Sequence, residues 1–166
     1  MPMINKRYYA IAVLFVSFHV NASSWIYRGY IPSDEEHVLV IESSNKISLN
    51  HREFTWFSCE DASYICLMSG LISFSIPRIP GEKSKWTKNK VDYTVETTKM
   101  LKVFGQTIPD VMLIKASFQQ DDKYVQEFLF SYERGLLAIS EKARESKSFL
   151  LLEGICGYGA LSTCSE

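Results

Sequence analysis

The sequence predicts a mostly β domain: an antiparallel sandwich, barrel or curved sheet, with at most one short helix and two disulfides. Three observations lead there. Runs of strict alternation between apolar and polar residues recur along the chain. Turn residues separate them at a spacing of about 8–12 residues, the rhythm of small all-β domains. Aromatic residues make up 13% of the 166, with 9 Tyr and 10 Phe, and flat rings pack well on a pleated surface.

The first segment has a different character. Lys6 and Arg7 form a short basic stretch, and residues 8–20 follow as a mostly apolar run without Asp, Glu, Lys or Arg. Val20-Asn21-Ala22 then places small or branched residues where a signal peptidase reads them. The run is shorter than the roughly 20 apolar residues that a membrane-spanning helix needs. Residues 1–22 are therefore expected to be a secretory signal peptide, and residues 23–166 a single β-rich globular domain, periplasmic or secreted. No later segment is long and apolar enough to span a bilayer as a helix.

The strands are expected as follows. Residues 25–31 form a candidate, and residues 37–41 are apolar on both faces apart from His37. Residues 54–57 are a weaker candidate. Residues 72–76 alternate as Ile-Ser-Phe-Ser-Ile and stop at Pro77, which has no amide hydrogen for a ladder. Residues 91–98 alternate most clearly: Val91, Tyr93, Val95 and Thr97 share one face, and Asp92, Thr94, Glu96 and Thr98 the other. Residues 100–104 and the apolar run 111–114 follow; 37–41 and 111–114 suit strands covered on both sides. Residues 119–123 are polar and join two strands as a hairpin, after which Phe128, Phe130 and Tyr132 share a face. Gly135 supplies the positive φ of a tight turn. Residues 136–139 and 149–152 complete the set. Between them Ser140 is placed to cap a short helix through Lys147, because Glu141, Lys142, Ala143, Arg144 and Glu145 favour helices; the segment lacks a broad apolar stripe, and a long solvated loop is the alternative.

Cys59, Cys66, Cys156 and Cys164 all lie after the signal segment, and their number is even. In an oxidising compartment that implies two disulfides. Cys59–Cys66 with Cys156–Cys164 is the preferred pairing because each pair is close in sequence. The separations do not match the tight Cys-x-x-Cys knuckles of zinc modules. The three glycines within residues 152–164 predict a terminus pinned back by its disulfide, presenting Tyr158 and Leu161 as a contact surface.

Charge excludes some partners. The chain holds 18 Lys and Arg against 19 Asp and Glu; without Lys6 and Arg7 the balance is 16 − 19 = −3. Such a surface offers no global attraction for nucleic acid or an anionic membrane.

Catalytic signatures are sparse. Beyond the signal segment only His37 and His51 remain as imidazole bases, and no Gly-x-Ser-x-Gly elbow is present. Asp34-Glu35-Glu36-His37 clusters four possible metal ligands, but neighbours on an extended chain point to opposite faces and do not converge on one ion. Glu60 and Asp61 sit within the Cys59–Cys66 loop, yet catalytic carboxylate pairs are set by the fold and not by adjacency. No cofactor or metal is expected.

The most distinctive surface feature is basic. Lys83, Lys85, Lys88 and Lys90 surround Trp86 with no acidic residue between them. Lysines of this kind guard a strand edge against unwanted pairing, with the Trp turned inward; alternatively they form a contact surface of charge and ring. Lys83, Lys85, Trp86, Lys88, Lys90 and Tyr158 are the candidate binding residues. The favoured expectation is an exported, non-enzymatic protein that binds another protein, as an inhibitor or immunity-type factor would. The alternatives are a hydrolase of envelope polymers using His51, Glu60 and Asp61, and a structural subunit that assembles by strand addition.

Overall fold

The computed structural model describes residues 24–30, 36–103, 106–143 and 146–161. Residues 1–22, on which the signal-peptide expectation rests, lie outside them, as do Asp34, Glu35 and Cys164.

Twelve strands build the domain, and no helix occurs among the described residues. They are β1 (Ser24–Tyr30), β2 (Glu36–Glu42), β3 (Lys46–Leu49), β4 (Arg52–Thr55), β5 (Tyr64–Met68), β6 (Ser73–Pro77), β7 (Lys85–Lys88), β8 (Val91–Val103), β9 (Gln106–Phe118), β10 (Asp121–Ser131), β11 (Gly135–Ala143) and β12 (Ser146–Glu153). Ten of them form one antiparallel sheet in the order β4-β3-β2-β1-β12-β11-β10-β9-β8-β7, and β5–β6 form a separate hairpin. The fold is thus all-β and antiparallel, as expected. Each half of the large sheet is a simple meander, and the two halves join where β1 pairs with β12.

Turn chemistry sets the meander's register. Asn50-His51 and Asn89-Lys90 both hold positive φ at two successive residues, 48° and 68° in the first, 48° and 63° in the second. This is the two-residue hairpin turn whose twist matches that of the strands. The pairs Leu49↔Arg52 and Lys88↔Val91 flank these turns directly. Gly135, at φ 76°, opens β11 as the sequence implies.

The hairpin β5–β6 packs on one face of the large sheet. Ile65, Leu67, Phe74 and Ile76 share its inner face and join Tyr27, Leu39, Ile41, Ile47, Phe128, Phe130 and Leu136 in one core. Phe74 sits 5.1 Å from the Phe128 ring and 5.4 Å from that of Phe130. A lone two-stranded hairpin is barely stable in water, and its outer edges leave backbone groups without ladder partners. Here side chains of the surrounding elements supply them. Tyr93 donates to the Ser73 carbonyl at 3.1 Å, Tyr132 to that of Pro77 at 2.8 Å and Tyr158 to that of Cys66 at 2.5 Å. Gln126 accepts from the Ser73 amide at 2.9 Å and donates to the Leu71 carbonyl at 2.7 Å. Burial pushes the Tyr93, Tyr132 and Tyr158 phenols upward, Tyr158 to about 12, so all three remain protonated donors at neutral pH.

The outer face of the hairpin is covered by the chain itself. Cys66 lies on that face beside Ser75 and is bonded to Cys59, with Cα atoms 5.3 Å apart. The disulfide closes an eight-residue loop, which stabilises the fold by about 2.5 kcal/mol in the chain-entropy model. Phe57 and Met68 exchange backbone hydrogen bonds at 2.8 and 3.0 Å, tying the end of the β4 segment to β5.

Three expectations are corrected here. Ser75, on the polar side of the alternation, does not face solvent: it is fully buried, because the disulfide loop covers the face that serines would otherwise leave to water, while Ser73 stays half-buried. The doubly covered strands are β5 and β6, not residues 37–41 and 111–114, where Val38, Val40, Met112 and Leu113 stay half-buried. The helix expected from Ser140 to Lys147 is absent; Arg144 and Glu145 lie outside the described residues, and the flanking segments are strands in which Ser140 pairs with Phe149 and Lys142 with Lys147. Cross-strand neighbours override the weak helix preference of a few residues. Of the two expected disulfides, Cys59–Cys66 is formed. Cys156 is also disulfide-bonded, while the pairing with Cys164 falls outside the described residues.

Candidate functional site: a cleft beside the lysine-edged strand

Residues 78–84 carry the chain from the hairpin to β7. Pro80 and Gly81, the latter at φ 72°, turn the segment back. The Ser84 carbonyl then accepts from the Val95 amide at 2.9 Å and starts β7 on its register. β7 is the last strand of the large sheet, so the basic stretch does lie on an edge.

The candidate residues on that edge divide into two groups. Trp86 points inward, is 7% exposed and stacks on Tyr93 with centroids 5.4 Å apart and planes 6° from parallel. The lysines stay outside the core, but two are engaged. Lys88 bonds the Asp61 carboxylate at 2.8 Å and lies 4.4 Å from the Tyr64 ring centre. Lys83 donates to the Tyr64 hydroxyl at 3.0 Å. Both therefore hold the disulfide loop and the start of β5 against the sheet edge. Lys85 and Lys90 are exposed.

Asp61 is the acid of that anchor. Lys88, together with the Ser63 hydroxyl and amide, holds its carboxyl far below the ordinary value of 3.8. The shift is downward, so the anchoring is complete above the ordinary carboxylate range and weakens as pH falls below 3.8. Replacing Lys88 with Gln is expected to move the Asp61 titration upward toward that value, as followed by carboxyl-carbon NMR. An unmoved Asp61 would show that the ion pair does not set its ionisation. Arg78 adds to the same corner, donating to the Ala62 carbonyl at 3.1 Å.

Beside this edge lies a cleft of about 520 Å³. Its walls come from three places: Ile76 and the Pro80–Gly81 turn with Lys83 and Ser84; Trp86, Val95 and Thr98; and Pro109, Asp110 and Met112 of β9 with Ser131, Tyr132 and Glu133 at the end of β10. Its volume falls within the range of about 300–1,000 Å³ typical of ligand sites. Aromatic and aliphatic groups dominate the floor, and charged groups stand at the rim.

A backbone irregularity shapes the far wall. Lys99 pairs with Val111 and Leu101 with Ile108, so Pro109 and Asp110 together face the single residue Met100. Asp110 takes a left-handed φ of 52°. A β-bulge of this type bends its strand and re-aims a side chain, and bulges gather next to functional sites. Asp110 is exposed and lines the cleft.

Of the sequence candidates, Lys83 and Trp86 line this cleft. Tyr158 is elsewhere: its ring meets Trp25 and Trp56 edge-on at 5.3 and 5.4 Å, beside the hairpin. Thr98, Asp110, Met112 and Tyr132 were not singled out in sequence. One signal pointed at Asp110, a Pro-Asp pair inside an otherwise strand-like run, which marks a bulge.

The residues considered for chemistry are scattered. His51 occupies the β3–β4 turn, and His37 Nδ1 lies 2.9 Å from Asn50 Nδ2. Glu60 is exposed in the disulfide loop. Among the described residues no group of three His, Cys, Asp or Glu side chains is arranged to hold a metal ion. No family model, curated protein or solved structure matches the chain.

Proposed function

We propose that this chain is an exported, non-enzymatic binding protein that recognises another protein at the Trp86 cleft. The observation that carries the reading is the cleft itself: a recess with an aromatic floor and a charged rim, on a sheet edge braced by a disulfide loop. A rigid, concave, mostly apolar site with a few polar groups at its rim is what recognition requires. The disulfide fits an oxidising compartment, where the leader-like first segment would deliver the chain.

Site-specific photo-crosslinking in the producing cell tests this. A photoreactive residue at Ser84, exposed at the cleft mouth, is expected to yield one discrete protein adduct. The same residue at Arg52, on the opposite edge strand β4, is expected to yield none. Thr98→Arg, which fills the cleft from an exposed position without touching the core, should abolish the Ser84 adduct. Equal adducts from both positions, no adduct from either, or an adduct that survives Thr98→Arg would each overturn the reading.

A further inference from the structure

The rim of the cleft carries an uncompensated negative charge. Three charged side chains line it: Lys83, Asp110 and Glu133. Lys83 is bound to the Tyr64 hydroxyl and lies 3.8 Å from Glu82. Glu133 pairs with Arg134 at 3.2 Å. Asp110 has no ion pair or side-chain hydrogen bond among the described residues. Its backbone, moreover, sits in the left-handed region, which costs a non-glycine residue about 1–2 kcal/mol and is borne most readily by Asn and Asp. The strand thus accepts a strained bulge whose result is to set a carboxylate at the cleft rim.

The floor is apolar. Trp86 lines the recess with Met112 and Val95, and its indole Nε1 is buried away from the opening, so the cleft is offered ring surface and not the indole N–H. The Trp86 and Tyr132 rings also suit an apolar side chain with a cation close by, since aromatic faces attract positive charge.

We infer that the cleft takes an extended segment of the partner protein in which a large apolar side chain stands next to a lysine or arginine. The apolar group fills the recess over Trp86 and Met112, and the basic group meets Asp110. The inference rests on the proposed reading of the cleft as a protein-recognition site and specifies the chemistry it selects.

Capped dipeptides test it. Acetyl-Phe-Lys-amide, acetyl-Phe-Gln-amide and acetyl-Phe-Glu-amide are titrated into the 15N-labelled full domain, and the indole N–H signals and the Asp110 amide are followed. The Lys peptide is expected to move the Asp110 amide and the Trp86 indole signals and to bind about two- to fivefold more tightly than the Gln peptide at low salt. The Glu peptide is expected to bind weakest. The preference should shrink in 1 M salt, where screening acts within about 3 Å. Asp110→Asn keeps a residue that tolerates the left-handed backbone, so it should leave the fold intact and level the Lys and Gln peptides. Asp110→Gly provides a second variant of the same kind. If the Glu peptide binds as tightly as the Lys peptide, or Asp110→Asn leaves the preference unchanged, the inference fails while the cleft remains a binding site. If none of the three moves any cleft signal up to millimolar concentration, both fail.

Discussion

Phe74→Ala is expected to destabilise the domain by about 3–5 kcal/mol, the range for emptying a buried aromatic site. Phe74 is fully buried, at the centre of the hairpin's inner face and between Phe128 and Phe130 of β10. Its removal leaves a cavity where the hairpin meets the large sheet. Neither layer collapses easily into that space, because the hairpin is held at its edges by Tyr93, Gln126, Tyr132 and Tyr158. Urea unfolding with the disulfides intact measures the effect. The midpoint should fall with little change in slope, since the surface exposed on unfolding is nearly the same. Phe74→Leu, which keeps most of the volume, is expected to cost about 1.5 kcal/mol or less. A loss below about 1 kcal/mol for the alanine variant would mean that the hairpin is not packed as described.

The second large effect is expected at Gly157. A methyl group there would stand 1.9 Å from the Leu136 carbonyl oxygen and 2.7 Å from its carbon, both backbone atoms of β11 that cannot swing aside. Three backbone hydrogen bonds hold this part of the tail to the β10–β11 turn: Gly157 to the Arg134 carbonyl at 2.8 Å, Leu136 to that of Tyr158 at 2.9 Å, and Leu161 to that of Tyr132 at 2.9 Å. Gly157→Ala should therefore lift the tail and draw Tyr158 from between Trp25 and Trp56. The expected cost is about 3 kcal/mol or more, because steric displacement and lost hydrogen bonds act together. Near-ultraviolet circular dichroism should lose the aromatic signal of that cluster at temperatures where the remaining sheet is folded. Tyr158→Phe removes only the hydroxyl that bonds the Cys66 carbonyl and should cost about 1–2 kcal/mol. Unchanged stability in Gly157→Ala would place the tail elsewhere.

Much of the fold is legible in residue pattern. The alternation of 91–98 identifies the first half of β8, with Val91 and Tyr93 buried and Asp92 and Glu96 exposed. The polar residues 119–123 mark the β9–β10 turn, and the lysines about Trp86 mark a strand edge. What alternation cannot express is a second layer. Ser75 is polar and belongs, by pattern, to a wet face; it is buried because a disulfide eight residues long in sequence closes over it. No strand was expected at Tyr64–Met68, although its near-continuous apolar run lacks a period just as residues 37–41 and 111–114 do. That absence of period is itself the mark of a strand covered on both sides.

The cleft was half legible for the same reason. Lys83 and Trp86 are local in sequence and stood out by composition. Asp110, Met112 and Tyr132 reach the cleft only because β8, β9 and β10 pair in a definite register, and Asp110 only because Met100 opposes two residues at once. Such a slip is a property of two strands together, and single-strand periodicity does not contain it.

Everything assigned to the cleft depends on the hairpin being an interior layer, since Ile76 and the loop from Pro77 to Lys83 form one of its walls. Native-state hydrogen exchange of the β5–β6 amides is the most direct measurement. The amides of Ile65, Leu67, Phe74 and Ile76 are expected to exchange only through global unfolding, as slowly as those of Phe128 and Ile139 in the centre of the large sheet. Exchange of those four amides by local opening, orders of magnitude faster than the sheet and at the rate of a solvent-washed hairpin, would contradict the account.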